Sequence, residues 1–202
     1  MKQMQLTGLI IVLILGTAAF AAAQVTTDSA APDFTLTDTA GQAHSLSDYS
    51  GRFVVLEWTN HDCPFVRKHY DSRNMQNLQQ VFTNKGVVWL TVNSSAPGKQ
   101  GNYPPMELSK MTAAEGAQPT AYLLDIDGAV GRLYGAQTTP HMYVIDPKGT
   151  LIYQGAIDSI SSTDPSDIYK ATNYVTQALN QAMGGDPVSV KATKSYGCSV
   201  KY

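Results

Sequence analysis

Cysteine is scarce in this chain, with only Cys63 and Cys198 present, and that scarcity narrows the available chemistry. A disulfide-dense scaffold is excluded, and the one intrachain disulfide open to the chain joins Cys63 to Cys198. The four histidines, His44, His61, His69 and His141, show no close pairing on a helix face. That absence excludes the usual zinc signatures. An excess of positive charge is missing too: 14 basic residues stand against 16 acidic ones, for a formal net charge of −2. Such a balance offers no basic footprint for nucleic acid. After the first two dozen residues no long apolar run recurs, so no stable membrane span is expected in the mature chain. Internal repeats are absent as well.

The N-terminus reads as an export signal. Lys2 supplies positive charge, Leu9–Leu15 an apolar core, and Ala21-Ala22-Ala23 a small-residue cleavage site. The apolar core is broken by Gly16 and Thr17 and falls short of the roughly 20 residues a membrane span needs. An uncleaved anchor is the alternative. No cysteine follows the core, which excludes lipid attachment at that point. A periplasmic or secreted location follows, in an oxidising compartment where two cysteines can pair. The expected organisation is a signal peptide over 1–23, a flexible leader over 24–31, one domain over 32–183, and a tail over 184–202 carrying Cys198.

Within the domain, Pro32–Leu36 and the segment around His44 flank the turn Asp38-Thr39-Ala40-Gly41 and read as a hairpin. Phe53–Trp58 and Val87–Val92 are near-continuous apolar runs of the kind buried on both faces of a sheet. Between them a helix is expected from Pro64 to about Asn84, stopped by Lys85-Gly86. The loop Asn93–Pro105 precedes a weaker helix over Met106–Gly116, a strand over Ala121–Asp125, and a helical turn over Val130–Tyr134 closed by Gly135. Met142–Ile145 and Leu151–Gln154 flank the turn Asp146-Pro147-Lys148-Gly149. Asp164-Pro165 opens a last helix running to about Met183. Alternating strands and helices followed by a terminal hairpin mean an α/β layered domain.

The chemistry points to Cys63. A strand ending in Trp58 leads through a short polar loop to Cys63, and Pro64 suits the first position of a helix. The unpaired N–H groups and dipole of a helix N-terminus favour the thiolate there. A buried, inert cysteine is the plainer reading.

With these residues in view, the chain resembles the thioredoxin-fold redoxins, specifically the peroxiredoxin-like branch of the alkyl hydroperoxide reductase/thiol-specific antioxidant (AhpC/TSA) group. The resemblance runs from Ala31 to Tyr202. It is carried by Ala31–Leu36, Ser45–Tyr49, the loop Asn60-His61-Asp62-Cys63-Pro64-Phe65-Val66, the segment Tyr134-Gly135-Ala136 followed by Thr138-Thr139-Pro140, and the ending Tyr196–Lys201. It implies a central mixed sheet flanked by helices, with an N-terminal β-hairpin and an extended C-terminal tail. It also implies a cis Thr139–Pro140 bond that lays the Thr139 backbone against Cys63 as a substrate-side wall. Peroxide-reducing members carry Thr or Ser three residues before the reactive cysteine; here Asn60 stands there, with Thr59 the nearest hydroxyl. Thioredoxins carry a second cysteine three residues after the first, and here Val66 takes that place. Disulfide exchange is therefore expected to exceed peroxide reduction.

Each supporting residue has a plainer reading beside the functional one. Cys198 is either a resolving thiol on a flexible tail or a permanent staple. Arg67, one turn into the helix, either supports the thiolate or is a solvated surface residue, and Asp62 opposes it. Glu57 is either a proton acceptor behind the thiol or a salt-bridged or rim glutamate. Trp58 is a core or pocket wall. His61 and His141, with Cys63 and a folded-back Cys198, would make a nitrogen/sulfur copper or zinc site, although ordinary hydrogen-bonded histidines are the simpler reading. The expected protein is an exported thiol oxidoreductase with Cys63 as nucleophile and Cys198 as resolving partner. It needs no organic cofactor and exchanges electrons with an external thiol reductant, a disulfide protein or a peroxide. A copper-binding assembly factor and a non-catalytic domain with a structural Cys63–Cys198 disulfide are the rival readings.

Overall fold

The structure is a computed structural model that describes residues 25–202; the export signal read at Lys2, Leu9–Leu15 and Ala21–Ala23 lies outside the described residues. Nine strands and five α-helices follow in chain order: β1 (Thr35–Asp38), β2 (Ala43–Ser45), β3 (Val54–Trp58), α1 (Pro64–Asp71), α2 (Asn74–Thr83), β4 (Val88–Asn93), α3 (Pro105–Ala114), β5 (Ala121–Leu124), α4 (Ala129–Tyr134), β6 (Thr138–Thr139), β7 (His141–Ile145), β8 (Leu151–Gly155), α5 (Tyr174–Met183) and β9 (Cys198–Ser199). Seven strands form one sheet in the order β2-β1-β5-β4-β3-β7-β8, and β6 pairs with β9 apart from it. Strand β3 runs parallel to β4 and antiparallel to β7, so the sheet is mixed.

The apolar runs of β3 and β4 are buried on both faces because helices cover both. Successive strand side chains point to opposite sides. Val54, Leu56 and Trp58 therefore join Val88, Leu90 and Val92 against Tyr134 of α4. Val55 and Trp89 face the other way, onto Val66 and Tyr70 of α1, Met75, Leu78 and Phe82 of α2, and Val175 and Leu179 of α5. This is the mixed sheet with flanking helices expected of a thioredoxin-like fold.

Two helices read as continuous are divided. The helix expected from Pro64 to about Asn84 breaks at Arg73, which takes a left-handed φ of 62°. Long-range polar contacts support the break: the Gln76 side-chain amide donates to the carbonyls of Tyr70 and Glu115. The helix expected from Asp164-Pro165 is a 3-10 turn over Pro165–Tyr169, followed by a separate α5 capped by the Asn173 side chain. Asn173 bridges to Asp158 across the intervening loop, which fixes a new start. Residues read as a leader are hydrogen-bonded to the start of β8 and the turn before it, with Asp28 N–H on the Leu151 carbonyl and Ala31 N–H on that of Gly149. No helix among the described residues is long and apolar enough to cross a membrane.

Candidate active site

Strand β3 ends at Trp58, and the loop that follows turns the chain into α1. The Cys63 N–H closes this turn on the Asn60 carbonyl at 3.0 Å. Cys63 caps α1 in extended conformation, Pro64 occupies its first turn, and the N–H groups of Val66 and Arg67 bond the Cys63 carbonyl. The Cys63 side chain is fully buried, and its Sγ donates to the Thr139 carbonyl at 3.0 Å. The Thr139–Pro140 bond is cis.

Thr139 is also the residue that meets the second thiol. Strand β9 runs antiparallel to β6 with Cys198 in register with Thr139, so one residue faces both cysteines. Both are free thiols, Cys198 half-buried. Burial, with the Cys63 thiol beside it, pushes the Cys198 thiol up to about 11. Cys198 thus keeps its proton at neutral pH.

The residues around this pair divide into those that frame it and those turned elsewhere. Asn60 is held by its own loop: its Oδ1 accepts from the Asp62 N–H, and its amide donates to the Gln100 carbonyl. The Thr59 and Thr139 hydroxyls are buried without a hydrogen-bond partner. The Arg67 guanidinium reaches Glu115 at 2.8 Å and pairs with Asp71, so its charge is spent along the helix flank. Asp62 accepts from the Tyr103 hydroxyl at 2.9 Å and from the Gly101 N–H, which draws its carboxylate into the loop after β4. Trp58 donates to Ser94 Oγ and packs on Tyr134 and Tyr143, as a wall residue does.

Glu57 points beneath α1 and α2, where among the described residues it meets donors and no cation. Tyr70 donates to its Oε1 at 2.7 Å, and the Trp89 indole, Gln79 amide and Thr91 hydroxyl converge on Oε2. Burial raises its pKa, while these four donors act in the opposite direction. Of the readings open for Glu57, neither a salt bridge nor a place at the rim is found: the carboxyl is fully buried in this cage, which ties β3 to β4, α1 and α2.

The histidines do not gather at the thiol. His61 Nδ1 bonds Glu115 at 3.1 Å and its ring stacks on Tyr122. His141 Nδ1 accepts the Gln137 N–H, and burial lowers its pKa to about 4. Among the described residues no group of three His, Cys, Asp or Glu side chains is placed to hold a metal ion. The copper or zinc arrangement of His61, Cys63 and His141 is therefore not assembled.

Sequence reasoning missed the network behind the tail. Lys68 is buried and bonds Asp158 Oδ2 at 3.2 Å and the Ile160 carbonyl at 2.8 Å. Asp158 Oδ1 accepts from the Tyr196 hydroxyl at 2.5 Å, and His69, lowered to about 4 by burial, lies 3.3 Å from the same hydroxyl. No local pattern at Lys68-His69 signals this network, which depends on the packing of α1 against residues 158–160 and 196.

A family model described as the AhpC/TSA family matches residues 27–154. The thiol-disulfide oxidoreductase ResA of Geobacillus kaustophilus (strain HTA426) is 30% identical over 121 residues, covering 54% of this chain and 69% of that protein. Among solved structures, an uncharacterized conserved protein from Geobacillus kaustophilus superposes with a TM-score of 0.78 at 28% identity, covering 93% of this chain and 98% of that one. The thioredoxin domain of a thiol-disulfide oxidoreductase from Bacteroides vulgatus shares the fold, with a TM-score of 0.54 at 20% identity over 73% of this chain and 97% of that one.

Proposed function

The chain belongs to the AhpC/TSA family, and on that premise we propose that it is an exported dithiol oxidoreductase that works by thiol–disulfide exchange. One observation carries the reading: Thr139 accepts from Cys63 Sγ and stands in register with Cys198, which brings both thiols to one residue. Cys63, at the start of α1, is the nucleophile. Its thiolate attacks one sulfur of a disulfide RSSR, forming Cys63–S–SR and releasing RS⁻. Cys198, kept protonated until then, gives up its proton and attacks Cys63 Sγ, forming the Cys63–Cys198 disulfide and releasing a second RS⁻. The two protons lost by the cysteines go to the two released thiolates. One disulfide is thus reduced to two thiols as two cysteines are oxidised, and an external dithiol reductant reverses the change.

Asn60 supports disulfide exchange over peroxide reduction, because its amide is committed to Gln100 and Asp62 rather than to a ligand at Cys63. Arg67 and Glu57 support the site at a distance, the first along α1 and the second by bracing β3 beneath it. The leading apolar segment, with Lys2 before it and Ala21–Ala23 after it, supports export.

Stopped-flow assays and intact mass of the mature protein test this reading with glutathione disulfide and hydrogen peroxide, alongside Cys63→Ser and Cys198→Ser. Wild type is expected to form the Cys63–Cys198 disulfide. Cys198→Ser should stop at a mixed disulfide on Cys63, and Cys63→Ser should be silent. Turnover that survives in Cys63→Ser removes the thiol mechanism, and fast Cys63-dependent peroxide turnover makes the protein a peroxidase instead.

A further inference from the structure

The C-terminal segment lies along β6, the strand that presents Thr139 to Cys63. Strand β9 takes the open side of β6, with Ser199 opposite Thr138 and Cys198 opposite Thr139, and the Val200 N–H adds a bond to the Gln137 carbonyl at 3.0 Å. Gly197 passes so close to Thr139, at a φ of 138°, that a Cβ there would collide with the Thr139 carbonyl. With this strap seated, Cys63 has no exposed surface.

The strap is pinned on both sides of Cys198. On one side Tyr196 donates to Asp158, lies under the Lys68 ammonium 5.6 Å from its ring centre, and meets Phe65 edge-on. On the other side Tyr202 donates to the Ala136 carbonyl at 2.7 Å and packs under the Arg132 guanidinium, 4.5 Å from its ring centre. The Tyr202 ring rests on Gly128 and Gly131, and a side chain at either would overlap it. The Lys201 carbonyl accepts from the Ala96 N–H, in the same loop whose Gly101 and Tyr103 hold Asp62 beside Cys63.

Resting on the thiol–disulfide reading above, we propose that residues 196–202 are a tethered occupant of the substrate edge that restricts Cys63 to low-molecular-mass disulfides. A small disulfide needs only a local parting of Cys198 from Thr139. An extended polypeptide needs the whole β6 edge, and so needs Tyr196, Gly197 and Val200 to leave together. The strap therefore acts as a covalently attached competitor whose effective concentration no diffusing polypeptide matches. It also delivers Cys198 to Cys63 once the small disulfide has reacted.

The test compares second-order rates of Cys63 oxidation by glutathione disulfide and by insulin. It uses the intact mature protein, Gly131→Ala, and a chain ending at Ser199. Both variants keep Cys63, Cys198 and Thr139. Alanine at a helical glycine is itself favourable, and its Cβ meets the Tyr202 ring and, at 2.9 Å, Ser94 Oγ, so the chain ending at Ser199 serves as the variant that leaves Ser94 untouched. Hydrogen exchange at residues 196–199 reports strap release in each. The intact protein should react readily with glutathione disulfide and poorly with insulin. Strap release should raise the insulin rate by at least about tenfold, in proportion to the open fraction, and the glutathione disulfide rate by a much smaller factor. Insulin reacting as fast with the intact protein as with a chain whose strap is shown to be released overturns the proposal and leaves the thiol reading standing. Silence of Cys63 toward both probes in every variant overturns the thiol reading, and this one with it.

Discussion

Strand β3 places all five of its side chains in the core, whereas the segment from Gly184 to Tyr202 buries only Val188. The two regions nevertheless meet at one pair of thiols. The β3 end, which leads to Cys63, is held by apolar area on both faces of the sheet. The strap, which carries Cys198, is held by individual hydrogen bonds, by aromatic rings under cations, and by glycines that allow close approach. Burial of apolar area is additive and tolerant, while specific fit fails at single atoms. The difference teaches that the fold and the placement of the second thiol have separate physical origins, so each can be disturbed without the other.

The largest effect should come from the core. Leu56→Ala removes a fully buried side chain between the two layers, and it should cost about 2–5 kcal/mol of global stability, read by denaturant unfolding. A loss no larger than that of an exposed substitution such as Val81→Ala would break the comparison, since it would mean that β3 is not the frame.

Acidification sharpens the contrast by reaching both regions. His141 lies in the core on β7, and His69 lies behind the strap's Tyr196. Burial lowers each from about 6.5 to about 4. Between those values the unfolded chain binds protons that the folded chain refuses. The stability these groups support is therefore complete above the window and falls as pH drops through it, by at most about 3 kcal/mol per histidine. Glu57, raised by burial, acts in the opposite sense. The readout is accordingly the difference in slope between wild type and His141→Gln, which should be shallower. Equal slopes would refute the assignment.

The smallest effect on stability should have the largest consequence for the thiols. Gly197→Ala forces a Cβ against the Thr139 carbonyl and should lift the strap with little change in unfolding. The equilibrium between the Cys63–Cys198 disulfide and a glutathione couple should shift toward the dithiol by about tenfold, or about 1.4 kcal/mol. An unshifted equilibrium would show that the strap does not set the meeting of the two cysteines.

Much of the frame was legible because its signals are local or periodic. The apolar runs of β3 and β4, the hairpin of β7 and β8 around Asp146–Gly149, and the helix beginning at Pro64 all follow from residues close together in the chain. The same holds for Cys63 at the start of α1. The site was legible only in outline. The partners of Arg67, the cage around Glu57, and the buried Lys68–Asp158–Tyr196 network join residues far apart in sequence through polar side chains, which leave no periodic trace.

The sequence by itself narrowed any thiol chemistry to two residues, because only two cysteines exist and one of them begins a helix after a buried strand. It also determined the layered sheet, because solvent exclusion writes its pattern into every second or every third to fourth residue. The tertiary structure alone decided where the second thiol lies. It broke the first helix at Arg73, turned His61 and Arg67 toward Glu115, and seated residues 196–202 along β6. Those outcomes depend on which distant carbonyl, carboxylate or glycine meets a given side chain, and that geometry exists only once the sheet has formed.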